Sequence, residues 1–187
     1  AALAAKEIIA EHAKTVAPKH AKVYALMGDI GMASRHFDDA VTAYDALVKV
    51  RPDSLYYRVA LAQAQSQSGQ TDQAIANLDK VLTSAPSFGL ANQVMAQVLL
   101  SKHEFQRARA HAERALTVND SNQRALLIAG TASMGLVELE RANAYLSRYV
   151  AIVPGSVSAR KLLARVQTQL GKPKDALETL TPLTETI

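Results

Sequence analysis

The sequence contains no cysteine and no tryptophan among its 187 residues, and aromatic residues make up only 5% of it. Without cysteine there are no disulfide bonds, no thiolate catalysis and no zinc sites built on cysteine. This absence does not distinguish a reducing cytosol from an envelope compartment. Strand-forming residues are thinly spread, whereas 34 alanines favour helices that approach one another closely. The composition therefore predicts a nearly all-helical protein and argues against an all-β sandwich or a doubly wound parallel sheet.

Long apolar runs and a strong charge excess are also missing. The longest weakly polar run, residues 126–137, is well short of the ~20 residues that a membrane-spanning helix needs. The 21 basic and 17 acidic residues are too evenly balanced for a dedicated nucleic-acid binder. Basic residues concentrate near the C-terminus, where we interpret them as a solvated surface because no aromatic residues alternate with them to stack bases. We expect a soluble protein that binds no nucleic acid and inserts no part of this segment into a membrane.

A period of 34 residues runs through the chain. Prolines follow this step at Pro18, Pro52 and Pro86, and Pro154 lies two steps further on. Alanine keeps the same step without a gap at Ala40, Ala74, Ala108, Ala142 and Ala176. Because one register is held through five copies, the sequence predicts a repeat array.

These residues resemble the tetratricopeptide repeat, a family whose repeats are 34 residues long. The first full repeat supplies the family's pattern at Tyr24, Met27, Gly28, Phe37, Ala40, Tyr44, Leu47 and Pro52. The resemblance implies an all-α, right-handed superhelical solenoid of antiparallel helix pairs. It places full repeats at 21–54, 55–88, 89–122 and 123–156, with a nearly complete fifth at 157–187. We expect residues 1–20 to be the second helix of a preceding repeat, and the chain to be a segment of a longer array.

Each repeat is expected to hold two helices joined by a tight turn. The first helices are predicted near 22–34, 55–68, 89–102, 123–136 and 157–170, and the second helices near 38–50, 72–84, 106–117, 139–151 and 174–185. Small residues at positions 8 and 20 of each repeat let the two helices cross closely. Gly69 and Gly171 suit a left-handed conformation at the turn. Arg35, His103 and Val137 occupy the same slot, which is least favourable for the β-branched Val137.

Residues with catalytic or metal-binding chemistry form no recognisable pattern. The five histidines are His12, His20, His36, His103 and His111, and they include no His-Glu-x-x-His motif. A metal site needs three or four converging ligands. Asp38 and Asp39 open a predicted helix, where their charge complements the positive end of the helix dipole. The sequence has no Gly-rich phosphate loop and no Ser/His/Asp arrangement. We therefore expect no catalytic, cofactor-binding or metal site, and no enzyme activity.

In the tetratricopeptide family, positions 2, 5, 6, 9, 12 and 13 of the first helix face a concave groove. Position 6 is apolar in all five repeats, and position 9 is polar; Met32, Leu100 and Met134 add apolar surface at position 12. The resemblance implies these groove contacts: Leu26, Asp29, Tyr56, Val59, Gln63, Leu90, Gln93, Val94, Gln97, Arg124, Leu127, Ile128, Thr131, Lys161 and Arg165. Such a groove fits a helix or an extended segment of a partner protein. The alternative, which the sequence leaves open, is that position 6 packs against neighbouring helices.

Two groove chemistries known in the family are absent from this sequence. The carboxylate clamp of tetratricopeptide co-chaperones needs Lys and Asn where this chain has Ala25, Asp29 and Ala60. The asparagine ladder of arrays attached to glycosyltransferases occupies position 6, which is aliphatic here. The identity of the partner therefore does not follow from either precedent.

A looser resemblance covers residues 90–116, 125–154 and 157–183. These segments are similar to long bacterial tetratricopeptide proteins associated with the exosortase, or PEP-CTERM, protein-sorting system. That similarity implies a non-catalytic scaffold in the bacterial periplasm or cell envelope, serving exopolysaccharide assembly, export or protein sorting. The alternatives are a cytoplasmic location, a regulatory or substrate-recruiting module of a larger enzyme, and a module that self-associates through its uncapped ends.

Overall fold

The computed structural model describes residues 21–183, so the helix predicted within residues 1–20 lies outside the described residues. The described range forms ten α-helices and contains no strand. The helices are α1 (Ala21–Ala33), α2 (Phe37–Val50), α3 (Leu55–Gln67), α4 (Thr71–Ser84), α5 (Gly89–Ser101), α6 (Phe105–Val118), α7 (Gln123–Gly135), α8 (Leu139–Ile152), α9 (Val157–Gln169) and α10 (Pro173–Leu180). The predicted all-α fold class is confirmed.

The chain divides into two compact units, residues 1–86 and 87–187. In the first unit, α1 packs on α2, α2 on α3, and α3 on α4. In the second unit, each of the helices α5 to α10 packs on the next, and α5 also contacts α7. We call α1, α3, α5, α7 and α9 the first helices and the others the second helices.

Small residues lie where the two helices of a repeat cross, as the sequence predicts. The alanines at position 20 are buried in all five repeats: Ala40, Ala74, Ala108, Ala142 and Ala176. At position 8 the buried residues are Gly28, Ala62, Ala96, Gly130 and Ala164. A Cβ atom added to Gly28 would lie 2.3 Å from Cε1 of Tyr44, which is far inside van der Waals contact. The high alanine content therefore serves close helix packing.

Left-handed residues end every first helix. Gly69 and Gly171 have φ angles of +85° and +72°, and Arg35, His103 and Val137 have φ angles of 61°, 59° and 59°. All five positions therefore adopt the conformation predicted from the sequence. A residue with a Cβ atom loses about 1–2 kcal/mol in this region, and branching at Cβ adds to the strain. Val137 is the most strained of the five because it is the one β-branched residue among them.

Nine of the ten predicted helix spans agree with the observed bounds to within one residue. The prediction of a helix over 174–185 was wrong, because α10 ends at Leu180 and a 3₁₀ turn, Thr181–Leu183, follows it. Pro182 explains the early end: it lacks the N–H group that would donate to the carbonyl of Glu178. The last two positions of that predicted helix lie outside the described residues.

Candidate protein-binding surface

In the first unit, most of the candidate groove residues are accessible. Leu26 and Tyr56 are 60% and 64% exposed. Asp29 is exposed and Gln63 is partly buried. Val59 is only 1% exposed, so it contributes packing and offers no surface to a partner.

In the second unit, the structure divides the candidate residues into three groups. The exposed ones are Leu90, Gln97, Arg124, Lys161 and Arg165. Leu127 and Thr131 are partly buried, and Gln93, Val94 and Ile128 are buried. The apolar residues of position 6 therefore pack inside this unit, where Ile128 belongs to a core cluster with Ala96, Ala112 and Ala125. Of the two interpretations of position 6, packing holds at Val94 and Ile128.

The buried polar candidate Gln93 has a structural partner. The Nδ2 group of Asn122 donates to Oε1 of Gln93 at 2.9 Å. The Oδ1 atom of Asn122 also accepts the backbone N–H of Ala125 at 3.1 Å, which caps the start of α7. Gln93 therefore helps to fix the residue that begins the next first helix, and it is not available to a partner.

Two of the candidate residues meet in one cavity of the second unit, formed around α5, α7 and α9. The cavity has a volume of about 400 Å³. Its lining residues are Leu100, His103, Phe105, Thr131, Met134, Gly135, Arg165 and Gln169. The partly buried side chains of Leu100, Phe105 and Met134 make the floor apolar. The exposed side chains of His103, Arg165 and Gln169 make the rim polar. The imidazole of His103 contacts the Phe105 ring edge to face, with the centroids 5.6 Å apart.

Local sequence accounts for this geometry. Leu100 and Met134 stand at position 12, and Thr131 and Arg165 at position 9, so the 34-residue period stacks like positions around the cavity. The repeat pattern identifies all four of these residues as groove positions. It missed Phe105, which stands at position 17, where the family pattern has an aromatic residue that fills space around the helix crossing. It also missed Gly135. A glycine has no side chain to indicate a contact, and its role is recognised only from the ring of Phe105 that packs against it.

The charges on the first helices of the second unit are all positive. Helices α5, α7 and α9 contain four basic residues and no acidic residue. One of the four, Arg160, donates to the backbone carbonyls of Pro154 and Thr179 at 2.6 and 2.8 Å. The side chains of the other three, Arg124, Lys161 and Arg165, form no hydrogen bond or ion pair with any described residue. This face is therefore electropositive and has no internal partner for its charge.

The acidic residues of the second unit that the structure describes lie on the second helices and in turns, where several are already paired. The carboxylate of Glu138 binds the guanidinium of Arg109 and lies 3.3 Å from Nη1 of Arg141. Tyr145 donates its hydroxyl to Oε1 of Glu113 at 2.8 Å. Burial first, and then this hydrogen bond and the negative charge of Glu113, raise the pKa of Tyr145.

The histidines of the described chain have packing or hydrogen-bond partners of ordinary kinds. The Nδ1 atom of His36 lies 2.9 Å from Oγ of Ser34, and Nδ1 of His111 lies 2.9 Å from Oδ1 of Asn92. Across residues 21–183, no three His, Asp or Glu side chains come together to form a group that could hold a metal ion. Over the same range, no helix has both the length and the apolar character needed to cross a bilayer.

The sequence profile described as Tetratricopeptide repeat matches residues 26–89 and 94–157. A curated relative, the small glutamine-rich tetratricopeptide repeat-containing protein 2 of Mycosarcoma maydis, is 29% identical over 96 residues. That alignment covers 51% of this chain and 27% of the relative. The chain therefore spans about a quarter of the relative's length.

Solved structures of similar fold include MamA from Desulfovibrio magneticus RS-1, with a TM-score of 0.77 and 20% identity over 89% of this chain and 94% of that one. PilW, described as a widely conserved type IV pilus biogenesis factor, gives a TM-score of 0.79 and 19% identity over 90% and 79%. At these identities the likeness shows the fold. Because the family profile matches more than half of the sequence, the chain belongs to the tetratricopeptide repeat family of protein-binding scaffolds.

Proposed function

We propose that the protein is a non-catalytic scaffold that binds another protein through the exposed face of its first helices. The observation that carries this proposal is the face of α5, α7 and α9. It combines an open cavity with an apolar floor and three basic side chains that no described residue neutralises. An apolar anchor site beside unpaired charge is typical of surfaces that bind protein segments.

The positions of these charges do not favour the helices that carry them. Lys161 and Arg165 are four residues apart on α9, where like charges destabilise a helix by roughly 0.2–0.5 kcal/mol. Arg124 stands in the first turn of α7, where the helix dipole favours negative charge. Since folding gains nothing from these placements, we infer that they serve the contact with a partner.

Site-specific photo-crosslinking in the native host tests the proposal. Benzoylphenylalanine placed at Leu90, Gln97 or Arg124 reports on the first helices, and the same label at Arg114 or Glu140 reports on the second helices. We expect one protein to be captured from the first-helix positions only and to bind the purified chain afterwards. Capture from the second-helix positions alone would contradict the proposal.

We further propose that this scaffold acts in the bacterial cell envelope, in exopolysaccharide assembly, export or protein sorting. The support is the similarity of residues 125–154 and 157–183 to exosortase-associated tetratricopeptide proteins, together with the fold shared with PilW. Fractionation of cells that express the full-length parent tests the location, and recovery entirely in the cytosol would contradict it. A catalytic domain in the same open reading frame would instead support a regulatory module of an enzyme.

Self-association is a second candidate function, and the exposed apolar face of α1 favours it. Val23, Leu26 and Ile30 are 44%, 60% and 57% exposed. The later residues in register with Ile30 are all buried: Ala64, Val98, Ala132 and Val166. Within each unit such residues pack on the preceding second helix, as Ala64 does in a cluster with Tyr44 and Leu47. The exposed face of α1 is therefore as apolar as the equivalent faces that are buried in later repeats. We propose that a second copy of the chain packs against it.

Light scattering over a range of concentrations tests self-association. We expect a dimer that Ile30→Lys dissociates, with Lys80→Glu on α4 as a control variant that leaves it intact. A monomer at every concentration would contradict this second function. That result would instead support the prediction that residues 1–20 form a preceding second helix and cover α1 within the same chain.

A further inference from the structure

We propose that the cavity around α5, α7 and α9 binds an acidic protein segment by one bulky apolar side chain, with a carboxylate of that segment beside Arg165. This inference rests on the proposed protein-binding function and specifies the chemistry of the partner. It concerns the second unit alone, because every residue of the cavity belongs to that unit.

The size and lining of the cavity determine the anchor. Ligand sites commonly occupy about 300–1,000 Å³, and a cavity of about 400 Å³ lies at the small end of that range. It is suited to one large side chain rather than to a helix laid along a groove. Leu100, Phe105 and Met134 present apolar surface to it, and the flexible thioether of Met134 can adapt to different anchors. The residue that fills the cavity is therefore apolar and bulky, such as leucine or phenylalanine.

The charges around the cavity determine what flanks the anchor. Arg165 lines the cavity, and Lys161 lies one turn earlier on the same helix. Arg124 lies on the neighbouring α7, at the opposite end from the residues of that helix that line the cavity. No acidic residue lines the cavity. A guanidinium can bind a carboxylate through two parallel hydrogen bonds, which gives both strength and orientation. A segment that carries Asp or Glu next to its anchor therefore complements this face, and a basic segment is repelled.

The same surface is poorly suited to other anions. Single-stranded nucleic acid needs a succession of aromatic platforms, and Phe105 is the one non-histidine aromatic residue in the cavity lining. A small free anion needs several donors that converge in a closed site. Here Arg165, His103 and Gln169 are exposed on an open rim. Neither nucleic acid nor a small anion would contact the apolar floor, whereas a protein segment can place an apolar side chain on the floor and a carboxylate beside Arg165.

Amide chemical-shift titrations of the whole chain with synthetic peptides test the inference. The probe is acetyl-Glu-Leu-Glu-Glu-amide, and the comparison peptides replace Leu by Ala or every Glu by Lys. We expect saturable shifts of the Leu100, Thr131 and Gly135 amides with the probe. Loss of the leucine side chain should weaken binding about 10-fold, and the lysine peptide should leave these amides unchanged.

Two variants separate the charge from a general effect on folding. Arg165→Gln should weaken binding of the probe peptide about 5-fold and reduce its sensitivity to salt. Arg114→Gln removes an exposed charge of the same kind from α6 and should leave binding unchanged. Equal effects of both variants would overturn the assignment of the carboxylate to Arg165.

Other outcomes overturn the proposal as a whole. They are equal shifts with the leucine and alanine peptides, shifts spread over both units, no shift with any peptide, or shifts of the cavity amides with hexathymidylate alone. If the peptides fail while first-helix crosslinks persist, protein binding stands and the acidic, apolar chemistry is wrong. If the crosslinks also fail, the proposed function fails with it.

Discussion

A Cβ atom at position 135 would lie 2.6 Å from Cδ2 of Phe105, so the absent side chain of Gly135 is what lets that aromatic ring rest against the end of α7. The two residues belong to neighbouring elements of the same unit, and both line the cavity. The ring can form part of the apolar floor because Gly135, at the end of α7, has no side chain that would displace it. The cavity therefore depends on a steric relationship between one glycine and one aromatic residue.

Gly135→Ala should destabilise the protein and distort the cavity. The added methyl must displace the ring, which costs about 1–3 kcal/mol, and the better helix propensity of alanine returns up to about 1 kcal/mol. We expect a net loss of about 1–2 kcal/mol in the free energy of unfolding, measured by urea denaturation. Gly155→Ala is the matched control, because no heavy atom lies within 4 Å of its Cβ position. A loss of similar size in both variants would contradict this explanation.

Val137→Gly should stabilise the protein. Val137 is 76% exposed and holds a φ of 59°, so its side chain contributes strain and little burial. Removing the backbone strain should stabilise the folded state by about 1–2 kcal/mol. The greater freedom of glycine in the unfolded chain offsets about 0.5–1 kcal/mol of this, so the free energy of unfolding should rise by about 0.5–1 kcal/mol. Thermal unfolding measures it. Val157→Gly, at an exposed helical position of ordinary φ, should be destabilising, and a gain there too would remove the backbone explanation.

The hydroxyl of Tyr44 should make stability depend on pH in the alkaline range. It donates to Oδ1 of Asp29 at 2.7 Å. Burial, followed by the hydrogen bond and the charge of Asp29, raises the pKa of Tyr44. Above about pH 10 an unfolded tyrosine loses its proton while folded Tyr44 keeps it, so the unfolded state binds fewer protons and stability falls as pH rises.

Tyr44→Phe therefore tests both the hydrogen bond and its linkage to pH. At pH 7 the variant should lose about 0.5–1.5 kcal/mol. From pH 9 to pH 11, its free energy of unfolding should fall less steeply than that of the unmodified chain. Tyr149→Phe controls for the loss of one tyrosine hydroxyl. Parallel curves for Tyr44→Phe and the unmodified chain would show that Tyr44 does not contribute to the slope.

The ion pair between Arg109 and Glu138 should matter more than the pair between Lys49 and Asp45. The Arg109 side chain is 12% exposed, whereas those of Lys49 and Asp45 are 75% and 48% exposed. Removing the carboxylate of Glu138 leaves the nearly buried guanidinium with one carboxylate, that of Glu113, whose Oε1 lies 3.4 Å from Nε. Glu138→Ala should therefore cost about 1–3 kcal/mol. Asp45→Ala should cost less than about 1 kcal/mol, because solvent screens that pair. Equal losses in chemical denaturation would contradict this ranking.

The 34-residue period and the resemblance to the tetratricopeptide repeat were enough to predict the left-handed turns and every helix bound except the early end of α10, because those features depend on local residue types. They did not predict which position-6 residues are buried. Leu26 and Ile128 look equivalent in the sequence, but Ile128 packs among the alanines of its unit while Leu26 is exposed. The exposure of a side chain depends on which residues pack against its helix, and the repeat pattern does not specify those residues.

The cavity was predictable only in part for a related reason. Thr131 and Arg165 stand at a position that faces the groove in the family, so the pattern identifies them. The shape of the cavity between them depends on Gly135, which has no side chain, and on the ring of Phe105, which packs against that glycine. Such a space is a property of several side chains together, and no single position in the sequence specifies it.

Titration calorimetry with the purified partner recovered by crosslinking measures whether the partner binds the first helices of the second unit. A triple variant, Arg124→Glu, Lys161→Glu and Arg165→Glu, reverses the charge of the first-helix face. A second triple variant, Arg107→Glu, Arg114→Glu and Arg148→Glu, makes the same change of charge on the second helices. We predict that the first variant weakens binding about 10-fold or more and that the second leaves it within about 3-fold. Loss of binding in the second variant, with retention in the first, would contradict the account.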